Sequence, residues 1–381
     1  MEEKRKVLVV FGTRPEAIKM CPLIKELQKR PGIETIVCVT GQHRSMLDQV
    51  LIAFDVIPDY DLSIMKEQQT LFDITIAVLN GMGEILKKVE PSLVLVHGDT
   101  STTFATALAA FYRNIPVGHV EAGLRTYDIH SPYPEEFNRQ AVGVISTYHF
   151  APTQISRLNL MKEGKKEESI FVTGNTAIDA LKITVKDSYF HPELEWSKGS
   201  RLILITAHRR ENLGEPMRQM FMAIKRVLGE HDDVKAIYPI HLNPLVRKTA
   251  HDIFGENNEK IRLIEPLDVL DFHNFMKASY LILTDSGGIQ EEAPSLGKPV
   301  LVMRDTTERP EGIDAGTLKL VGTGEEEIYR SFTMLLDDKS EYEKMSCAAN
   351  PYGDGHACER IADIIESNQK NESPKYYPSK N

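Results

Sequence analysis

Short apolar runs alternate with amphipathic stretches along most of the chain. Val7–Phe11, Ile36–Thr40, Leu93–His97, Val117–Glu121 and Tyr148–Ala151 are continuous rather than alternating, the pattern of strands covered on both faces. Glu16–Lys29 and Thr102–Tyr112 carry helical spacing between them. The rhythm restarts with strands expected at Leu202–Thr206, Ala236–Ile240, Ile261–Ile264, Leu281–Thr284 and Val300–Met303. Helices are expected at Met217–Leu228, Leu245–Phe254, Phe272–Lys277 and Ile289–Leu296. Strands that alternate with helices predict an α/β chain with parallel, doubly wound sheets. The stretch Ile183–Ser200 has weak periodicity, many polar residues, Pro192 and Gly199, and marks the expected boundary. The organisation read from this pattern is a first domain over 1–182, a second over 183–356, a C-terminal helix over 357–368 and a polar tail over 369–381.

Length and charge narrow the classes. The 381 residues suffice for two ordinary domains, each with its own core. A formal net charge of −10 argues against a nucleic-acid partner, which would want a basic face. It leaves room for an anionic ligand where basic residues gather locally. No apolar window is long enough for a membrane span or a signal segment. Cys21, Cys38, Cys347 and Cys358 lack zinc-site spacing and read as reduced thiols, so the expected compartment is the cytoplasm.

In open parallel sheets, ligands bind beyond the carboxyl ends of the strands, so the strand exits are where chemistry is sought. Gly12-Thr13-Arg14-Pro15-Glu16 follows the first strand, with Lys19 about a turn further on. Gly12 permits a tight turn and Pro15 suits a helix start. The pattern G-x-G-x-x-G is absent there, which argues against a nicotinamide dehydrogenase. Gly98-Asp99-Thr100 follows the third run; Asp99 or Thr100 is either a helix cap or a chemical group. Glu121 ends its strand with no obvious helix after it, which makes capping a poor explanation. Glu135 and Glu136 are expected in a loop stiffened by Pro132 and Pro134.

In the second half, His208, Arg209 and Arg210 leave one strand end together and suit a phosphate. Asp285-Ser286-Gly287-Gly288 opens a helix, where glycines admit a ligand and free N–H groups attract an anion. Arg309 leaves a neighbouring exit. His43, His119 and His241 have no metal-ligand spacing, and no metal is expected.

Several blocks carry a family resemblance. FGTRPEAIKM, TGQHRSMLDQVL, LVHGDTSTT, GHVEAGLRT, SPYPEEFNR, FVTGNTAIDAL, TAHRRENLGEP, LTDSGGIQEEAPSLGKPVLVMRDTTERPEG and NPYGDG resemble, in order, the non-hydrolysing UDP-N-acetylglucosamine 2-epimerases. The resemblance spans about Lys6 to Ile365. It implies two Rossmann-like domains facing across a cleft in the glycosyltransferase B manner, a C-terminal helix returning to the first domain, and a homodimer. It also implies conversion of UDP-N-acetylglucosamine to UDP-N-acetylmannosamine with no cofactor, supplying envelope polysaccharide. The family's catalytic acids match Asp99, Glu121 and Glu135, and its catalytic histidine matches His208. Nucleotide-binding positions match Arg14, Lys19, Phe272, Ser286, Gly287, Gly288, Glu292 and Arg309. A second, activating substrate site in bacterial members falls on Gln42, Ser45, Gln68, Glu135, Arg209 and His241. Ser45 and Gln68 depart from the family's usual Gln and Arg, and the second change removes a charge-assisted contact.

Carbon 2 of the sugar is a weak acid with no neighbouring ring carbonyl, so direct deprotonation would be very slow. Elimination of UDP to a 2-acetamidoglucal, then re-addition with a proton from the other face, is the easier route, and several carboxylates suit it. Which carboxylate is base and which is acid stays open in the sequence. The rivals are a glycosyltransferase of the same architecture, a hydrolysing relative and a non-catalytic sugar-nucleotide sensor.

Overall fold

The structure is a computed structural model and describes residues 4–41, 44–66, 68–256 and 258–368, with the side chains of 44, 45 and 368 outside the description. Its chain divides into two compact units, Met1–Ala180 together with Gly355–Asn381, and Leu181–Asp354. Residues 183–200 stay with the second unit because Val185, Tyr189, Leu194 and Trp196 pack against its core.

The first unit holds a parallel sheet of β1 (Arg5–Phe11), β2 (Ile33–Val39), β3 (Tyr60–Asp61), β4 (Leu93–His97), β5 (Val117–Val120), β6 (Tyr148–Ala151) and β7 (Ile170–Val172). The order is β3-β2-β1-β4-β5-β6-β7. Val7 to Phe11 and Leu93 to Val96 are fully buried, as runs without alternation require of strands covered on both faces. The strand order reverses between β1 and β4, which sets the exits of these two strands side by side. Helices Arg14–Gln28 and Ser101–Tyr112 start from those exits. The helix Ala357–Asn368 also belongs to this unit: Arg5 Nη1 donates to the Ile365 carbonyl at 2.7 Å, and Cys358 N donates to Asp179 Oδ1 at 2.9 Å.

The second unit holds β8 (Arg201–Thr206), β9 (Val234–Pro239), β10 (Ile261–Ile264), β11 (Leu281–Thr284), β12 (Val300–Val302) and β13 (Leu318–Leu320), all parallel, in the order β10-β9-β8-β11-β12-β13. Here the reversal lies between β8 and β11, at the exits leading to His208 and to Ser286. The α/β, doubly wound reading therefore holds in each unit.

Several elements differ from the sequence reading. The edge strands β3, β7 and β13, two or three residues each, were not expected. The helices Leu71–Val89 and Gln154–Lys162 were not expected either. Glu135 and Glu136 do not lie in a loop: they open the helix Glu135–Ile145. Carboxylates in a first turn favour that start, since they face the positive end of the helix dipole. No helix among the described residues is long and apolar enough to cross a membrane.

Candidate active site

At the first unit's switch point the residues are tied by Glu16. Its Oε2 accepts from the backbone N of Gly12 (3.0 Å) and Thr13 (2.8 Å), while Oε1 accepts from the Thr100 hydroxyl (2.8 Å) and lies 3.0 Å from the Thr103 hydroxyl. This buried carboxylate closes a capping box with Thr13 and locks the β1 exit to the β4 exit. Burial pushes its carboxyl up, and the hydrogen bonds pull it back. A side chain at Gly12 would strike the Thr40 hydroxyl at 2.1 Å, so only glycine fits that turn. Arg14 is the first residue of the helix, half-buried, and Lys19 lies a turn further on.

Lys19 forms an ion pair with Glu121 Oε2, and Asn175 Nδ2 donates to the same oxygen at 3.1 Å. Glu121 follows β5 with φ +62°, a left-handed conformation that costs a non-glycine residue energy and is held by its surroundings. Its carboxylate also faces His97 Nε2 at 3.7 Å. Asp99 follows β4 and pairs with Arg139, on the helix that Glu135 opens. The Asn138 amide donates to the Asp99 carbonyl at 2.9 Å. Burial raises the Asp99 carboxyl; Arg139 lowers it, and the charges of Glu121 and Glu135 raise it again. The three expected acids are thus one electrostatic group with Lys19 and Arg139 among them. Thr100, not Asp99, caps the helix, accepting from Thr103 N at 3.1 Å, which frees the Asp99 carboxylate for other work. Glu136 is structural: fully buried, it accepts from Thr126 N and Tyr127 N at 3.1 Å each.

In the second unit the organiser is Asp285, fully buried after β11. Its Oδ2 accepts from His208 N (2.9 Å), Arg209 N (2.8 Å) and Asn212 Nδ2 (3.2 Å), fixing the loop after β8. The His208 ring lies 3.7 Å from Asp285 Oδ1 and stacks on His241, with centroids 5.2 Å apart. Burial lowers the basicity of His208; Asp285 raises it, and His241 and Arg209 lower it. Ser286 N donates to Thr284 Oγ1 at 2.9 Å, and the helix Gly287–Glu292 follows. Arg309 lies across Gly287, where an added Cβ would sit 2.7 Å from its Nη1, and is held by Glu291 Oε1 at 2.6 Å. Tyr352 accepts from Gly312 N (3.1 Å) and donates to the Arg309 carbonyl (3.2 Å), bracing the same loop. Phe272 and His273 share the helix Val269–Ala278, and His273 Nε2 faces Glu292 at 3.7 Å.

The chain matches the family model described as UDP-N-acetylglucosamine 2-epimerase over residues 25–366. It is 60% identical over 380 residues to the UDP-N-acetylglucosamine 2-epimerase of Bacillus subtilis (strain 168), covering 99% of this chain and 100% of that protein. The chain belongs to the UDP-N-acetylglucosamine 2-epimerase family. Among solved structures, the Neisseria meningitidis UDP-GlcNAc 2-epimerase bound to UDP-GlcNAc is 50% identical, with a TM-score of 0.88 over 95% of this chain and 100% of that one. The Methanocaldococcus jannaschii UDP-GlcNAc 2-epimerase in complex with UDP-GlcNAc and UDP is 36% identical, with a TM-score of 0.78 over 95% and 99%. An epimerase is an isomerase, so membership of the 2-epimerase family makes this chain an enzyme of that class.

Of the positions expected for a second, activating ligand of the 2-epimerases, Gln42 lies outside the described residues, and so does the side chain of Ser45. Gln68 is exposed in a left-handed turn, φ +56°, ahead of the helix Leu71–Val89. His241 and Arg209 lie near His208 in the second unit, and Glu135 lies near Asp99 in the first. Glu16, His97, Arg139, Asn175, Asp285 and Glu291 had no assigned role in the sequence reading. The available signal was a carboxylate or histidine at the end of a continuous apolar run, which Asp285 and His97 carry.

Proposed function

We propose that this isomerase interconverts UDP-N-acetylglucosamine and UDP-N-acetylmannosamine without hydrolysis, by eliminating UDP to a 2-acetamidoglucal and adding it back, in supply of envelope polysaccharide. The observation that carries the reading is the carboxylate set of Asp99, Glu121 and Glu135, with Asp99 pushed up by burial and by its two acidic neighbours. A carboxyl raised above its ordinary range holds a proton more readily, which suits a group that must both take and return one. In the forward step a carboxylate takes the C2 proton, the C2–H electron pair becomes the C1=C2 bond, and the C1–O pair leaves with UDP. The reverse step delivers a proton to the opposite face of C2. Arg14 and Lys19 belong to the first unit's share of substrate binding. Arg209, Phe272, Ser286, Glu292, Arg309 and the N–H groups of Gly287 and Gly288 form the nucleotide seat of the second, and His208 stabilises the departing diphosphate. Gln42, Ser45, Gln68 and His241 are proposed to belong to the activating site.

Incubation with UDP-N-acetylglucosamine and no acceptor, followed by proton NMR, tests this. UDP-N-acetylmannosamine is the expected product. Free N-acetylmannosamine would identify a hydrolase, and unchanged substrate would favour a transferase or a sensor. The working unit is proposed to be a homodimer formed through an apolar face of the first unit: Phe72 and Ile76, Phe111, and Phe137 and Val144 are exposed on three packed helices.

A further inference from the structure

His97 is a buried titratable group that the proposed chemistry leaves unused. It ends β4, its side chain is 5% exposed, and its Nε2 has no hydrogen-bond partner among the described residues. That nitrogen faces Glu121 Oε2 at 3.7 Å. A neutral ring with its proton on Nδ1 presents the Nε2 lone pair to Glu121. The His97 backbone carbonyl accepts from Thr103 Oγ1 at 2.6 Å, which fixes the residue at the end of β4. A lone pair opposite an ionised carboxylate gains nothing. Opposite a protonated carboxyl it accepts a hydrogen bond, and a buried orphan acceptor is satisfied.

We propose that His97 is a positioning residue whose Nε2 accepts a hydrogen bond from Glu121 when Glu121 carries the substrate proton. This rests on the epimerase reading above and deepens it, since it marks Glu121 as a carboxylate that becomes protonated within the cycle. No proton moves to the ring: C2–H breaks, O–H forms on Glu121, and that O–H points at Nε2. A neutral ring is required throughout, and burial keeps it neutral, with basicity down to about 4. The titratable groups facing the pair are Lys19 from the helix Arg14–Gln28, Asp99 after β4 and His119 on β5; Glu135 and Arg139 act on Asp99 from the helix Glu135–Ile145.

The test compares full-length wild type, His97→Phe and His97→Gln. In His97→Phe, kcat falls about tenfold or more while KM changes little, because the lost contact exists only with the proton on Glu121. The acidic limb of its kcat profile moves to lower pH by about half a unit or more, since the protonated carboxyl has lost its acceptor. His97→Gln, whose amide oxygen can accept, recovers part of the rate and returns the limb. An unchanged or upward-moving limb in the phenylalanine variant overturns the proposal, as does a glutamine variant no better than phenylalanine. Should His97→Phe fail to fold, His97→Asn, too short to reach Glu121, replaces it. Side-chain carbon NMR of Glu121 in unliganded protein gives the same comparison without turnover. A titration midpoint lower in the variant than in wild type supports the contact even if the epimerase reading fails, and an unchanged midpoint overturns it even if that reading stands.

Discussion

Asp99 and Arg139 stand 40 positions apart in the sequence and meet at the β4 exit. Asp99→Asn is expected to lower turnover by at least about a hundredfold, the usual range for removing acid/base help. UDP should still bind by calorimetry, because Asp99 is not among the positions proposed to hold the nucleotide. Asp99, Glu121 and His208 were readable in the sequence because each is a polar residue at the end of a buried apolar run. Their partners were not. Arg139 reaches Asp99 from a helix, Asn175 reaches Glu121 from the residue just ahead of the helix Thr176–Thr184, and Asp285 reaches the His208 loop across 77 positions. Nothing local in a sequence announces a hydrogen bond of that span. Thr100 against Asp99 as the helix cap was open for the same reason: both are good cap residues, and only the backbone geometry distinguishes them.

Elements were legible where the apolar signal was long. Ten strands, nine of them central and β10 at an edge, stood out as continuous runs. The edge strands β3, β7 and β13 did not, because each keeps only two or three residues and forms too short an apolar run to stand out. The helix Leu71–Val89 was obscured by Gly81 and Gly83, poor helix formers in its interior. Gly81 is there for packing, since a Cβ would lie 2.7 Å from the Leu62 side chain. Two glycine substitutions separate stability from binding at this scale. Gly123→Ala places a Cβ 2.3 Å from the Ser156 carbonyl at φ +94°. It should destabilise the first unit by roughly 2 kcal/mol or more, read by hydrogen exchange. Gly287→Ala meets only the tip of Arg309, so the fold should survive while UDP affinity falls about tenfold, the worth of one charge-assisted contact.

At the scale of the molecule, proton linkage gives a pH signature. Burial lowers His97 to about 4, His119 to about 3 and His149 to about 4, on three adjacent strands. Unfolded histidine takes up its proton near pH 6.5 and these three do so only well below it. Their contribution is therefore complete above that pH and is lost as pH falls toward 4, at up to ~1.4 kcal/mol per unit for each ring. Protection factors of β4, β5 and β6 amides should drop accordingly between about pH 7 and about pH 5; equal factors would contradict the buried neutral assignment. The apolar face of the first unit should hold two copies together, so Phe72→Glu combined with Val144→Glu should yield monomers by sedimentation. The central claim, that protons are exchanged at C2 while UDP leaves and returns, is tested most directly by turnover of UDP-N-acetylglucosamine in heavy water with no acceptor. The expected result is UDP-N-acetylmannosamine with deuterium at C2; product that keeps protium there, or no product at all, would contradict it.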